Sequence, residues 1–382
     1  MASPYSLRAA LTAGLLAAVA AYGHVLYPAW LALRTRDLPE PAPPEPEGWP
    51  AVTVLVPAYR ESSVIVEKVA DLEANGYPGT LEVIVIADDP ATAAVAARTG
   101  ARVITGGQRS GKPAAINRGM AAATSSVVVL TDANAAFEPG ALRALVRWFA
   151  ADDVQAVAGE KVVRGDAGEA LYWRFESWLK RRESQAGLTI GLVGELAAVR
   201  RVSFRPLPVD VLVDDMWLAL DIAGRGGRIV YEPEARAVEG PSPNVREEWE
   251  RRTRRSAGIV DACWRRRDLL APARGLVAAQ LWGHRLMRSG IGPLAHTSLL
   301  ALALCAVRRN RVARVFLAAH AWAGVALARS QRGARLGRID RAAAQVLWLQ
   351  GVALAGLLRY LRRSDRSALW PKPERTESWE AP

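Results

Sequence analysis

The stretch that decides the fold is Val127-Val-Val-Leu-Thr-Asp-Ala-Asn134. From Val127 to Thr131 it is uncharged and mostly β-branched, and it then gives way to a carboxylate and an amide two positions apart. That pattern describes a buried strand ending at a polar rim. Side chains alternate along extended chain, so Asp132 and Asn134 share a side, where their oxygens suit a hard cation such as Mg²⁺ or Mn²⁺ facing a phosphate. Asp-x-Asn also fits a strand that ends in an Asx turn, so its meaning depends on the neighbouring segments.

Upstream, an apolar run Val52–Val56 leads into Pro57-Ala-Tyr-Arg-Glu61, followed by a helical pattern with Val64, Val66, Val69 and Leu72 on its apolar positions. A second apolar run, Leu81–Ala87, ends in Asp88 and Asp89, and a short helix and Arg102-Val-Ile-Thr105 come next. A glycine-rich loop and a helix over about Pro113 to Ala123 then lead to the opening strand. Strand alternating with helix at this rhythm predicts a doubly wound α/β sheet whose ligands sit at the carboxyl ends of the strands, where Asp88 and Asp132 both fall.

The loop Gly106-Gly-Gln-Arg-Ser-Gly111-Lys112 satisfies the first seven places of a phosphate-binding P-loop. The eighth is Pro113, which has neither the hydroxyl for Mg²⁺ nor an N–H for the phosphate cradle, so the P-loop NTPase class is set aside. Lys112 is still a point charge able to reach a diphosphate, or else a surface lysine at a helix start. No Gly-x-Gly-x-x-Gly follows a strand, and a dinucleotide-binding dehydrogenase has no support.

Downstream, Asp214 and Asp215 precede an amphipathic helix. Adjacent carboxylates repel, which suits one of them to act as a base; both also serve as helix caps. Residues 170–184 read as an aromatic-rich helix in which Trp173 or Trp178 stacks on a ligand or packs in the core. Glu176 and Glu183 fall on one face of that helix.

Composition places this α/β domain at a membrane. The chain has 382 residues, 51% hydrophobic and 23% charged, so apolar residues are concentrated outside the core. A net charge of +12, with arginines beside apolar runs, points to an anionic membrane surface and away from nucleic acid. Cys263 and Cys305 lack metal-ligand spacing and imply no disulfide framework. Residues 9–33 hold no Asp, Glu, Lys or Arg and exceed the roughly 20 residues needed to span a bilayer. Arg34 and Arg36 follow at once, which puts the segment after this helix on the cytoplasmic side. Between Asp37 and Pro50, six prolines interleaved with glutamates form a semi-rigid spacer.

Beyond residue 270, residues 275–288 read as an interfacial helix, followed by uncharged runs at 289–307, 315–328 and 342–358. Strict alternation would place Arg308, Arg309 and Arg311 outside, against the positive-inside preference, so the number of spans stays open. The expected division is an N-terminal anchor at 1–36, a Pro-rich linker at 37–50, a catalytic domain at 51–270, an interfacial helix at 271–288, a transmembrane region at 289–360 and a polar tail at 361–382.

Taken together, Val-Pro-Ala-Tyr-Arg-Glu61, Ala-Asp88-Asp, Ser110-Gly-Lys-Pro-Ala-Ala-Ile-Asn117 and Thr-Asp132-Ala-Asn134 resemble the nucleotide-sugar half of bacterial family 2 glycosyltransferases. The likeness is to membrane-anchored members such as cellulose synthase and N-acetylglucosaminyltransferases, and it continues through Gly159-Glu-Lys161, Val213-Asp-Asp215 and Arg251-Arg-Thr-Arg254, covering about residues 51–290. The resemblance implies the GT-A fold, a Rossmann-like mixed sheet, here with N- and C-terminal transmembrane helices.

By resemblance, Pro57, Ala58, Tyr59, Glu61, Asp88, Lys112, Asp132 and Arg254 hold the nucleotide sugar, and Asp132 with Asn134 holds Mg²⁺ or Mn²⁺. Asn134 departs from the commoner aspartate. Asp215, with Asp214 beside it, matches the base that deprotonates the acceptor hydroxyl, while Trp173, Glu176, Trp178, Gly194 and Glu195 line the acceptor side. Processive members carry Gln-x-x-Arg-Trp where this chain matches at Arg254 alone, so the processive motif is degenerate. The expectation is an inverting, metal-assisted glycosyltransferase of the cell membrane, multi-pass, with its catalytic domain cytoplasmic. It would move a hexose from a nucleotide diphosphate sugar, UDP-linked by preference, to a polysaccharide or glycolipid acceptor. The alternatives are a polyprenyl-phosphate acceptor and a non-catalytic nucleotide-sugar sensor or assembly subunit.

Overall fold

The structure, a computed structural model, describes residues 4–106, 109–163, 167–240 and 245–362. The polar tail expected at 361–382 lies outside the described residues beyond Arg362. Two compact units form, one from residues 35–241 and the other from residues 1–34 and 242–365.

The chain opens with helices α1 (Pro4–Ala21) and α2 (Tyr27–Arg34) of the second unit. The α/β unit then contributes strands β1 (Val52–Ala58), β2 (Leu81–Ala87), β3 (Arg102–Thr105), β4 (Val127–Leu130), β5 (Ala136–Phe137), β6 (Val154–Val163), β7 (Ala197–Arg200) and β8 (Arg228–Glu239). They make one eight-stranded sheet in the order β3-β2-β1-β4-β7-β6-β8-β5. β1 runs parallel to β2 and β4, whereas β7 is antiparallel to β4 and β6, so the sheet is mixed, as expected of the fold class. Between the strands lie α3 (Ile65–Glu73), α4 (Pro90–Ala96), α5 (Lys112–Ala122), α6 (Ala141–Val146), α7 (Ala167–Gln185) and α8 (Asp214–Gly224).

The core forms because β1 and β4 are β-branched on both faces and buried on both. Val52, Val54, Val56, Val127 and Val129 pack with Ile65 and Leu72 of α3 and with Leu142 and Leu145 of α6. Each such side chain contributes about 1.5–3 kcal/mol on burial. The register sets Ala58 of β1 level with Ala87 of β2 and Leu55 level with Leu130 of β4, so the polar residues that follow all three strands emerge on one rim.

One buried charge serves that rim. Lys68 on α3 is 0% exposed, and its ammonium donates to the Ala135 carbonyl at 2.6 Å and lies 3.7 Å from the centre of the Phe137 ring. Asp71, one turn on, accepts from the Phe137 N–H at 3.0 Å. Together they tie the turn after β4 to α3.

The second unit continues with α9 (Val245–Arg265), α10 (Leu276–Gln280), α11 (Gly292–Ala306), α12 (Arg311–Gln331) and α13 (Arg338–Arg362). Here α9 groups with the apolar helices, whereas the sequence had placed it inside a catalytic domain reaching residue 270. Trp249 of α9 meets Trp348 of α13 edge-on at 6.0 Å, and Gly356 lets α13 approach Ser256 closely. The expected interfacial helix and first C-terminal span are one continuous helical run, Leu276–Ala306. Its π-helical stretch Leu281–Ile291 precedes Pro293, which has no N–H to donate. Four helical runs among the described residues are long and apolar enough to cross a membrane: Arg8–Arg34, Leu276–Ala306, Arg311–Gln331 and Arg338–Arg362.

Candidate active site

The site assembles where the carboxyl ends of β1, β2 and β4 meet the start of α5. Gly111, at φ +87°, turns the chain into α5 and places Lys112 at its first position. Lys112 Nζ sits 2.6 Å from Asp132 Oδ1 and 3.5 Å from Asp214 Oδ2. Asp214 and Asp215 occupy the first turn of α8, where the helix dipole favours carboxylates, and Asp215 Oδ1 accepts from the Met216 N–H at 2.7 Å. Lys112, Asp214 and Asp215 line one depression with Pro57, Thr131, Leu207 and Gly194. A Cβ at Gly194 would stand 2.9 Å from Lys112 Nζ and 3.9 Å from Asp132 Oδ2, so the glycine lets these two groups meet.

The charges do not balance. Burial alone would lower the Lys112 pKa, but Asp132, Asp214 and Glu195 outweigh it and hold the ammonium above its ordinary value. Burial, reinforced by Glu195 and Asp214, pushes Asp132 above the usual carboxylate range, with Lys112 opposing. The Lys112 shift expresses the three carboxylates around one ammonium, whereas the Asp132 shift is chiefly an effect of burial to which Glu195 and Asp214 add.

Beside β2, the buried Asp88 carboxylate receives Arg118 of α5 and, at 3.3 Å, the Ser110 N–H. Gly106 permits this, since a Cβ there would stand 2.6 Å from Asp88 Oδ1. Asp89 caps α4 through Thr92 and also accepts from the Arg60 N–H at 2.6 Å, which holds Arg60 at φ +55°. Burial would raise Asp89, but N–H donors from Thr92, Arg60 and Ala91 outweigh it and keep the carboxyl below its usual range. Tyr59 lies under the guanidinium groups of Arg109, at 4.4 Å, and Arg60, at 5.5 Å. Glu61 is fully buried, and its N–H donates to Thr92 Oγ1 at 2.9 Å.

On the far side of Asp132, the Thr131 hydroxyl donates to the Glu195 carbonyl at 2.8 Å. The Glu195 carboxylate pairs with Lys161, whose ammonium lies 4.8 Å from the centre of the Trp173 ring. Trp178 does not share this environment: it stacks on Phe175 at 6.4 Å, with Arg182 over its ring. Five helical positions separate the two tryptophans, which turns them about 140° apart. Glu176 is buried on α7, and Glu183, also buried, accepts from Thr189 Oγ1 at 2.9 Å. Arg254 belongs to α9 in the helical unit.

Sequence reasoning assigned no role to Lys161, Arg118, Asn117 or Glu239. Asn117 and Lys161 lie within the motifs Ser110–Asn117 and Gly159–Lys161, and Arg118 directly follows the first, so an ionic or amide residue in or beside such a run is a usable signal. Glu239 has none, being one glutamate at the end of a long strand.

A GT-A sheet with this acidic rim defines a glycosyltransferase. Residues 53–207 match the family model described as glycosyl transferase family 2. Among solved structures, a mannosyltransferase from Pyrobaculum calidifontis in complex with GDP-mannose and Mn²⁺ is 27% identical. The match covers 93% of this chain and 99% of that one, with a TM-score of 0.76. Glucosyl-3-phosphoglycerate synthase from Mycobacterium tuberculosis is 22% identical over 59% of this chain and 87% of its own, with a TM-score of 0.43. Mannosyl-3-phosphoglycerate synthase from Rubrobacter xylanophilus is 19% identical over 62% of this chain and 76% of its own, also at 0.43. No curated protein sequence matches the chain.

Proposed function

We propose that this is a membrane-anchored, inverting glycosyltransferase that moves a hexose from a nucleotide diphosphate sugar to a polysaccharide or glycolipid acceptor. The observation that carries the reading is the convergence of Lys112 on Asp132 and Asp214, with Asp215 adjacent, at the carboxyl rim of the sheet. The apolar helical runs support anchoring, with the α/β unit on the cytoplasmic side.

Asp215 takes the proton from the acceptor hydroxyl as its oxygen attacks the anomeric carbon. The bond from that carbon to the diphosphate oxygen breaks, and the nucleoside diphosphate leaves with the electron pair. Lys112 meets the charge that develops on the leaving group, a charge larger in the transition state than in the bound donor. By resemblance, Asp88, Tyr59 and Glu61 would hold the nucleoside, while Trp173, Gly194 and Glu195 would serve the acceptor side.

The residues present fit a divalent cation. Asp132 and Asn134 offer hard oxygens in a region of excess negative charge. Among the described residues no group of three or more His, Cys, Asp or Glu forms a metal cage, which suits an ion that also takes phosphate oxygens. When bound, Mg²⁺ or Mn²⁺ would stabilise the departing diphosphate. The sequence favours a UDP-sugar, whereas likeness to a mannosyltransferase holding GDP-mannose makes GDP-sugars the first donors to try.

The test is nucleoside diphosphate release by detergent-solubilised protein across UDP- and GDP-sugars with Mg²⁺ or Mn²⁺, given membrane extract as acceptor. Sugar-specific, metal-dependent release that disappears in Asp215→Asn is the expected result. Tight nucleotide binding without turnover would overturn it.

A further inference from the structure

The Asn134 amide nitrogen donates to Glu239 Oε1 at 2.7 Å. A carboxylate only accepts, so this contact admits an amide in one orientation and disfavours an aspartate, whose charge would face Glu239 across the same gap. The two ends of a carboxamide are nearly the same shape, yet only the oxygen can ligate a hard cation. With its nitrogen committed to Glu239, Asn134 keeps Oδ1 as the end available to an ion.

Glu239 is itself held in place. Its other oxygen pairs with Lys161, whose ammonium also pairs with Glu195 and lies against the Trp173 ring. Lys161 is 1% exposed. An ammonium buried between two carboxylates has no route to solvent, so it keeps Glu239 Oε2 occupied and leaves Oε1 for Asn134.

We propose that Glu239, locked by Lys161, is a positioning residue of the cation site, fixing the Asn134 carboxamide with its oxygen toward the ion. The amide at 134 and the displaced carboxylate at 239 act as one unit. This rests on the reading of Asp132 as a cation ligand.

Glutamine at 239 breaks the arrangement in a defined way. Lys161 brings only donors, so the glutamine oxygen turns to Lys161 and its NH2 faces Asn134, which must flip and show nitrogen to the ion. In the double variant Asn134→Asp with Glu239→Gln, the carboxylate and amide exchange places. The carboxylate introduced at position 134 then accepts from the amide introduced at position 239 and keeps an oxygen for the ion.

The experiment measures Mn²⁺ uptake by the full chain in detergent, from loss of the free Mn²⁺ electron paramagnetic resonance signal, with GDP or UDP present. Glu239→Gln is expected to weaken binding about tenfold. The double variant is expected to recover most of that loss, a departure from additivity. A Glu239→Gln protein that binds Mn²⁺ like wild type, or a double variant no better than Glu239→Gln, overturns the proposal. Absence of uptake by wild type, or unchanged uptake by Asp132→Asn, overturns the cation reading itself.

Discussion

Replacing Lys68 by methionine tests whether α3 holds the turn that carries Asp132 and Asn134. The ammonium sits in a fully buried position, bonded to the Ala135 carbonyl at 2.6 Å and 3.4 Å from Asp71. Burial pushes its pKa from 10.5 to about 8, with Asp71 and Asp132 opposing only in part. The unfolded chain therefore keeps this proton up to about pH 10.5, while the folded chain releases it near 8. Between those values the unfolded state binds more protons, so wild-type stability rises with pH by ~1.4 kcal/mol per pH unit, to about 3 kcal/mol in all. Below pH 8 the whole penalty of the buried charge persists.

Methionine carries no proton, so Lys68→Met lacks this gain. Near neutral pH its relief from the penalty is offset by the loss of a charged hydrogen bond worth about 1.5–3 kcal/mol, and the two proteins should differ by only ~1 kcal/mol. Denaturant unfolding in detergent, followed by near-ultraviolet circular dichroism at intervals from pH 7.5 to 10, measures the difference. Stability curves that run parallel with pH in the two proteins would refute the reasoning. Turnover should fall as well, by up to about 100-fold, because displacing the Asp132 turn by even an ångström misaligns the reacting groups.

Lys112→Met should cut kcat/KM for the donor by about 10²–10³, since Asp132 and Asp214 would face the diphosphate without their counter-ion. Its effect on stability should stay near ~1 kcal/mol because a third of each paired side chain meets solvent, and steady-state kinetics with thermal unfolding checks both. Asn117 donates to the Leu207 carbonyl and accepts from the Leu207 N–H, both at 2.8 Å, pinning the loop that leads to Asp214 and Asp215. Asn117→Asp keeps the shape but loses the donor, and should lower kcat about tenfold while leaving donor KM nearly unchanged; an equal loss in both would contradict a role confined to that loop.

Strand alternation and helix periodicity are local properties, and they made the order of β1, α3, β2, α4, β3, α5 and β4 readable from residues alone. The rim residues Asp88, Asp132 and Asn134 were readable for the same reason, as the first polar groups after apolar runs. Which charges they meet was not. Arg118 reaches Asp88 across 30 positions, Lys161 reaches Glu239 across 78, and Asn134 reaches Glu239 across 105. The equal prospects of Trp173 and Trp178 were divided only when α7 packed on β6 and β8, since a helix turned against a sheet buries one face.

Hydrophobic spacing and segment length act within a few residues of chain, and they were enough to dictate a parallel strand set ending in an acidic rim, flanked by long apolar segments. How that rim is charged was settled by the folded chain. Electrostatic partners are set by distance in space: the pairing of β8 with β5 brings Glu239 to Asn134, and the start of α8 brings Asp214 to the Lys112 ammonium that also meets Asp132.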